Sequence, residues 1–243
     1  MTEKFIPKDE KVASCIDGYN RVREAVAEAT VKSGRQPDSV RLMAVTKTVE
    51  PVYINAVLDA GAGLIGENKV QEYMGKRDEL HLDGVEKHLI GHLQTNKAKY
   101  IVGEVDMIES VDSFKLAREI EKECVKKGCT QKVLIEVNIG GEESKSGISP
   151  DALETLLGQV AQLPHVRICG LMTIPPVCDT QAQAGAYFEA MYKSFIDIKA
   201  KKLDNVNMDI LSMGMSGDYE TAVLCGSNLV RVGSAIFGAR KYY

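Results

Sequence analysis

From Val40 to the end of the chain, short apolar runs alternate eight times with amphipathic segments. The runs have the length and near-continuous hydrophobicity of parallel strands that are buried on both faces, and the intervening segments carry apolar residues at helical spacing. The predicted strands span residues 41–47, 64–67, 87–91, 107–110, 132–139, 166–173, 208–213 and 229–236. Eight such units in about 200 residues, without a linker, predict an α/β fold, a single-domain (β/α)8 TIM-type barrel.

An additional helix precedes the barrel. Apolar residues three or four positions apart predict it at about residues 9–34, where Gly34 can take the left-handed conformation that ends a helix. We therefore expect one domain over residues 1–243, with the barrel at about 40–238. An open doubly wound sheet is the competing fold, but no Gly-x-Gly-x-x-Gly follows the first strand.

Composition and charge exclude several function classes. The formal net charge is −4 and no long Lys/Arg run occurs, so we expect neither a nucleic-acid nor a membrane partner. Residues 1–10 lack the apolar core of a secretory signal, and no apolar stretch is long enough to cross a bilayer. The six cysteines form no Cys-x-x-Cys pair and the four histidines lack ligand spacing, so we expect reduced thiols, no metal and a cytoplasmic location.

Lys47 ends the first predicted strand, where the active sites of such barrels lie. Because alternate residues of a strand point to the same face, Lys47 would share a face with Met43 and Val45 and have apolar neighbours. Desolvation disfavours the ammonium and leaves a nucleophilic amine. The competing interpretation is a lysine whose amine reaches into water.

In many such barrels a phosphate site forms after the seventh and eighth strands, and suitable residues occur here. The seventh predicted strand runs through Ser212 and Met213 toward Ser216, and the eighth supplies Gly233 and Ser234. Glycine lets the backbone approach an anion, and serine donates a hydroxyl. Alternatively, Ser216 is only a helix N-cap and Gly233 only a packing position.

Arg231 lies within the eighth predicted strand, where a charge needs a partner. It is either paired with an acidic residue of the barrel or hydrogen-bonded to a ligand near the phosphate loop. Together with Lys47 and the serine–glycine loops it describes a site for an aldehyde that carries a phosphate. Pyridoxal 5'-phosphate and a sugar phosphate both meet this description.

At these residues the sequence resembles the pyridoxal phosphate homeostasis protein family, which is related to the N-terminal barrel of alanine racemase. The matching segments are residues 44–48, 66–72, 88–97, 137–139, 144–147, 170–172, 211–216 and 230–238. They extend in order from the first strand to the end of the barrel. The resemblance implies that pyridoxal 5'-phosphate is the cofactor and forms a Schiff base with Lys47.

The resemblance also implies roles for the other candidates. Phosphate contacts would come from Ser216, Gly233 and Ser234, with Ser212 and Met213 among the cofactor-binding residues. A further implied pair is Arg231, beside the pyridine nitrogen, and Asn68, which flanks the ring. Because guanidinium does not readily protonate that nitrogen, the ring would be a weak electron sink. Lys145, in a polar loop, is expected to be solvated, although the family's motif places it near the cofactor.

The resemblance leaves open whether the chain is an enzyme. Alanine racemases need a second base, a tyrosine from a second domain, and that domain is not expected here, where only Phe237 to Tyr243 follow the last predicted strand. Tyr242 and Tyr243 are expected in a mobile tail. We therefore expect a monomer that acts in vitamin B6 and amino-acid homeostasis, with small amino acids and transiently contacted apo-enzymes as candidate partners.

Two enzyme classes remain as alternatives. A weak or specialised amino-acid racemase would use Lys47 alone, as the only candidate catalytic residue. A Schiff-base aldolase would need an acid–base pair, for which Glu67 and Glu136 are the only strand-end candidates, and both are as easily structural.

Overall fold

The computed structural model describes residues 8–142 and 145–239, and their strands form one closed parallel barrel in sequential order. The strands are β1 (Arg41–Val45), β2 (Leu64–Glu67), β3 (Glu86–Leu89), β4 (Met107–Val111), β5 (Gln131–Val137), β6 (Val166–Thr173), β7 (Val206–Ser212) and β8 (Leu229–Val232). The predicted α/β barrel is confirmed. Tyr242, Tyr243 and Ser144 lie outside the described residues.

Helices cover the outside of the barrel. They are α1 (Lys8–Lys32), α2 (Pro51–Asp59), α3 (Val70–Lys76), α4 (Ala98–Ile101), α5 (Phe114–Lys127), α6 (Leu153–Val160), α7 (Gln181–Lys201), α8 (Tyr219–Leu224) and α9 (Ser234–Phe237). The N-terminal helix occurs as predicted and ends two residues before Gly34, which has a φ of 78°. In residues 8–142 and 145–239, no helix has both the length and the apolar content needed to cross a membrane.

Alternation along each strand divides the apolar side chains between two cores. Outward-facing residues such as Ile108 and Val133 pack against the helices. Inward-facing residues form smaller clusters within the barrel, one around Met43 and Leu229 and another around Met107, Leu134 and Met172. The interior is therefore filled, and only its carboxyl rim is available for a ligand.

The predicted extent of the eighth strand was wrong. The strand ends at Val232, and residues 234–237 form the helical turn α9 instead of continuing to residue 236. The apolar run of Ala235, Ile236 and Phe237 imitates a strand, but Ile236 is buried against α1 rather than in the sheet. The loop after Val232 thus begins with a helical turn, and α1 fixes the position of that turn.

Gly18 is the contact point between α1 and α9. A Cβ atom on Gly18 would lie 2.5 Å from the carbonyl oxygen of Ile236, much closer than van der Waals contact allows. The two backbones therefore touch, and α9 is held against the first helix of the chain.

We predict that Gly18→Ala separates α1 from α9 and lowers the free energy of unfolding by about 1–2 kcal/mol, despite the better helix propensity of alanine. Urea unfolding followed by circular dichroism measures this. Gly158→Ala is the matched control, because Gly158 lies within α6 with open space around it. The control should gain about 0.5–1 kcal/mol, and an equal gain in both variants would contradict the contact.

Candidate functional site

Lys47 lies in a turn just beyond β1, at the carboxyl rim of the barrel. The strand was predicted to include Lys47, but it ends at Val45. Lys47 is half-buried, and the next residue, Thr48, has a φ of 62°. A β-branched residue rarely adopts this left-handed conformation, so the surrounding structure must impose it.

A buried lysine holds the turn on both sides of Lys47. The Nζ of Lys76 donates to the carbonyl oxygen of Thr46 at 2.8 Å and to Oε1 of Glu72 at 3.1 Å. The same Glu72 carboxylate accepts the backbone N–H of Thr48. The backbone before and after Lys47 is therefore tied to one ion pair on α3, which fixes the direction in which the Lys47 side chain leaves the turn.

Glu67, the last residue of β2, completes this group. It forms an ion pair with Lys76 and accepts the Thr46 hydroxyl at 2.7 Å, while its other oxygen accepts the backbone N–H of Asn68 at 3.1 Å. Burial raises the pKa of Glu67 although Lys76 opposes this effect. We call Glu67, Glu72 and Lys76 the lysine clamp. Sequence reasoning missed it, although Glu72 and Lys76 have the i, i+4 spacing of a helical ion pair.

Asn68 follows β2 at the same rim and packs closely against β3. A Cβ atom on Gly91 would lie 2.2 Å from the Asn68 carbonyl oxygen and 2.8 Å from its Oδ1. Only glycine at position 91 allows this approach. The Asn68 side chain is thereby placed beside the next strand, at the mouth of the barrel.

The loops after β7 and β8 meet at Ser216. Its Oγ accepts the backbone N–H of Gly233 at 3.2 Å and that of Ala235 at 3.3 Å. Ser216 does not cap the following helix, since Asp218 is the residue that precedes α8. Two backbone N–H groups therefore converge on one hydroxyl oxygen, a position in which an anionic oxygen could replace that of Ser216. We call Ser216, Gly233 and Ala235 the amide cradle.

Barrel closure brings the amide cradle to the Lys47 turn. Strand β1 pairs with β8 in the register of Ala44 with Val232, so the residues after these positions leave the barrel side by side. A Cβ atom on Gly233 would lie 3.4 Å from both the Cβ and the carbonyl oxygen of Val45. The two segments lie on adjacent strands at the same rim.

Arg231 is directed into the barrel and is 3% exposed. Its Nη1 donates to Oγ of Ser212 at 2.6 Å, and its Nη2 donates to the carbonyl oxygen of Thr173 at 2.8 Å. The Ser212 hydroxyl donates in turn to Oε2 of Glu109 at 2.6 Å. Burial lowers the pKa of Arg231, and the nearby carboxylates oppose this effect. Ser212 therefore links Arg231 to a buried acid.

A chain of alternating charges continues below Arg231. The two ring nitrogens of His88 lie 2.6 Å from Oε1 of Glu109 and 2.7 Å from Oε1 of Glu86, and Glu86 pairs with Arg41 at 2.6 Å. Burial alone would lower the pKa of His88, but the two carboxylates outweigh it and raise the pKa. The hydrogen bond from His88 lowers the pKa of Glu86 to about 2. We call these four residues, with Ser212 and Arg231, the buried charge chain, although its outer end, Arg41, is exposed.

The remaining candidates occupy different positions. Ser234 begins α9 and is exposed at the rim. Met213 is buried in the outer core, and its backbone N–H donates to Leu229 within the sheet. The structure therefore does not bring the Met213 side chain to the mouth. Lys145 Nζ donates to the carbonyl oxygen of Pro175 at 2.9 Å, so it is held by the loop after β6.

Comparison with known proteins gives a consistent result. Residues 23–241 match the family model described as alanine racemase, N-terminal domain. A curated relative from Aquifex aeolicus is 41% identical over 223 residues, which cover 92% of this chain and 97% of the relative. That relative is named pyridoxal phosphate homeostasis protein.

Two solved structures are also similar. A protein of unknown function from Bifidobacterium adolescentis is 37% identical, with a TM-score of 0.91 and coverage of 96% of this chain and 98% of the other. PipY of Synechococcus elongatus, solved with PLP bound, is 35% identical, with a TM-score of 0.78 and coverage of 88% and 100%.

We predict that Lys76→Met destabilises the protein by about 3 kcal/mol near neutral pH, because it leaves the Glu67 carboxylate buried without its cation. The pKa of Glu67 is already raised by folding, and loss of Lys76 raises it further. A carboxyl with a raised folded pKa contributes stability at low pH and loses it as pH rises. Urea unfolding should therefore show a smaller defect near pH 5 than near pH 8.

Lys201→Met is the control for this prediction, because Lys201 forms an exposed ion pair with Glu154. Exposed pairs are worth about 0–1 kcal/mol. A defect in Lys76→Met that is no larger than in this control, or that does not depend on pH, would contradict the lysine clamp.

Proposed function

The chain belongs to the alanine racemase N-terminal domain family and, within it, to the pyridoxal phosphate homeostasis proteins, and we propose that it holds pyridoxal 5'-phosphate as a Schiff base on Lys47 and acts in vitamin B6 and amino-acid homeostasis. The observation that carries the proposal is the adjacency of Lys47 and the amide cradle on strands β1 and β8. An amine and an anion site then lie within reach of one small molecule. PipY, a relative solved with PLP bound, supports the choice of ligand.

The residues at the rim fit this ligand. In the amide cradle the N–H groups of Gly233 and Ala235 donate to Ser216, and a phosphate oxygen in place of the Ser216 hydroxyl oxygen would accept from both, with the exposed Ser234 beside it. Lys47 supplies the amine that an aldehyde requires. Arg231 supplies a buried cation inside the mouth, and Oε2 of Glu136 is a buried polar atom with no hydrogen-bond partner among the described residues. A polar, ring-shaped aldehyde phosphate would satisfy these groups together.

Each residue then has a distinct task. The lysine clamp would orient the turn from which the Lys47 amine reaches the cofactor. The amide cradle would hold the phosphate. Arg231 would donate to the ring, and Ser212 keeps the guanidinium in place. Asn68, fixed by its contact with Gly91, would lie beside the cofactor.

Pyridoxal 5'-phosphate, when bound, supplies an aldehyde for reversible imine formation and a ring that can withdraw electrons. Arg231 limits the second property, because a guanidinium beside the ring nitrogen does not give up its proton readily. Imine formation with the Lys47 amine does not depend on Arg231 and would not be limited. The residues of the site therefore favour holding and exchanging the cofactor over carbanion chemistry.

We predict that the purified protein with added pyridoxal 5'-phosphate absorbs visible light, and that borohydride reduction fixes the cofactor's mass on the peptide that contains Lys47. Lys47→Ala should abolish both signals, because no imine can form at that position. Lys122→Ala, an exposed lysine on α5, is the control and should keep both. A protein that stays colourless with added cofactor would refute the proposal.

We further predict that Arg231→Gln weakens cofactor binding roughly 10- to 100-fold, since a hydrogen bond to a charged group is worth about 1.5–3 kcal/mol. Titration of the visible absorption with pyridoxal 5'-phosphate measures this, and circular dichroism verifies the fold of the variant. Unchanged affinity and an unchanged spectrum would mean that Arg231 only balances the buried charges.

A further inference from the structure

Glu136 is an ionisable residue of the barrel mouth to which the proposed function gives no task of its own. It is the penultimate residue of β5, and its neighbours Val133, Ile135 and Val137 face the helices in the outer core. Leu134 faces the opposite way, into the inner core, and Glu136 shares that face by alternation. Its carboxyl group therefore lies inside the barrel, one layer above Leu134.

The Oε2 atom of Glu136 is buried, and the described part of the chain provides no hydrogen-bond partner for it. The residue is 5% exposed, so solvent does not compensate. The buried carboxylate of Glu109 and the partly exposed one of Glu86 are different, because both are hydrogen-bonded to His88. Buried polar atoms without partners are rare and costly in folded proteins, and a ligand is one explanation for them.

Charges on and after β4 and on β8 act on this carboxyl group. Asp112, which follows β4, and Glu109, within β4, disfavour its ionised form, and Arg231 of β8 favours it. Burial is the largest effect, and together these influences raise the pKa of Glu136 to about 7. At neutral pH the group is thus divided between a neutral acid, which can donate a hydrogen bond, and a carboxylate, which cannot.

The polar atoms of the proposed ligand complement the neutral form. With the phosphate in the amide cradle and the aldehyde carbon on Lys47, the ring nitrogen and the ring hydroxyl oxygen remain, and both can accept a hydrogen bond. Arg231 satisfies one acceptor. A neutral Glu136 carboxyl, on the inner face and within the electrostatic influence of Arg231, can satisfy the other, whereas a carboxylate would repel it.

We propose that Glu136 is a further cofactor-contacting residue, which donates a hydrogen bond from its protonated carboxyl group to the ring of bound pyridoxal 5'-phosphate. This rests on the proposed function and deepens it by assigning a proton-dependent contact. Because the ligand favours the neutral form, binding raises the pKa of Glu136 further. The affinity for the cofactor is then highest below the pKa that Glu136 has in the cofactor-free protein, and it falls as pH rises through that pKa.

The test compares cofactor affinity in the wild-type protein and in Glu136→Gln between pH 6 and 9. Glutamine has the same shape and keeps a donor at every pH, so the ratio of the two affinities removes the titration of the cofactor itself and of Lys47. The ratio should be near one at pH 6. At pH 9 the wild-type protein should bind more weakly than the variant, by roughly tenfold for each unit by which binding raises the pKa.

Glu123→Gln is the matched control, because Glu123 is also 5% exposed but lies on α5 and pairs with Lys126. Its affinity ratio should not change with pH. A ratio for Glu136→Gln that is equally constant would overturn the inference, while visible absorption of the wild-type complex would leave the proposed function intact. No absorption in the wild-type protein would instead refute the proposed function.

Isotope-edited infrared spectroscopy of the wild-type protein provides a second measurement that needs no folded variant. With carbon-13-labelled glutamate, the band of a protonated carboxyl should persist at pH 8 in the complex and disappear in the cofactor-free protein. A band that disappears at the same pH in both samples would overturn the inference.

Discussion

The pairing of β1 with β8 is the contact on which the site depends. It joins the first and last strands of the barrel, in a register from Arg41 opposite Leu229 to Ala44 opposite Val232. Parallel strands carry all their carboxyl ends to one rim, so closure places the Lys47 turn beside the amide cradle. Helix α1 then packs on α9 from outside, through Gly18, and keeps the cradle against β1. In an open sheet the same residues would lie at opposite edges.

The buried charge chain explains how charged side chains can occupy the barrel interior beneath that rim. An isolated buried charge is very costly, but here each charged group has an oppositely charged or hydroxyl neighbour at 2.6–2.7 Å, from Arg41 to Arg231. Removing one member would leave the next uncompensated. The chain therefore gives less net stability than its contacts suggest, and its main effect is to fix the direction of Arg231.

The fold could be predicted from the sequence because strand–helix alternation is a local pattern. Lys47 became a candidate by the same argument, because it ends the first predicted strand, and Arg231 and Gly233 became candidates as a charge and a glycine within the eighth. The lysine clamp and the buried charge chain were not predicted, because Lys76 with Thr46, or His88 with Glu109, meet only after the register between strands is set. The helical turn α9 was mistaken for strand because its apolar residues pack on α1, a contact that hydrophobicity alone cannot distinguish from a sheet.

The lysine clamp and the buried charge chain fix the residues proposed to contact two parts of the cofactor, and they do so in different ways. The clamp fixes a backbone turn, including Thr48 in its left-handed conformation, so the position of the Lys47 amine depends on an ion pair within α3 and β2. The chain fixes a side chain, Arg231, through the centre of the barrel. Neither relies on a loop that would have to order on binding, and the entropy cost of assembling the site is therefore met when the protein folds. Under the proposed function, a site prepared in this way would bind the cofactor without an ordering cost, and exchange at the Lys47 amine would need no rearrangement of the barrel.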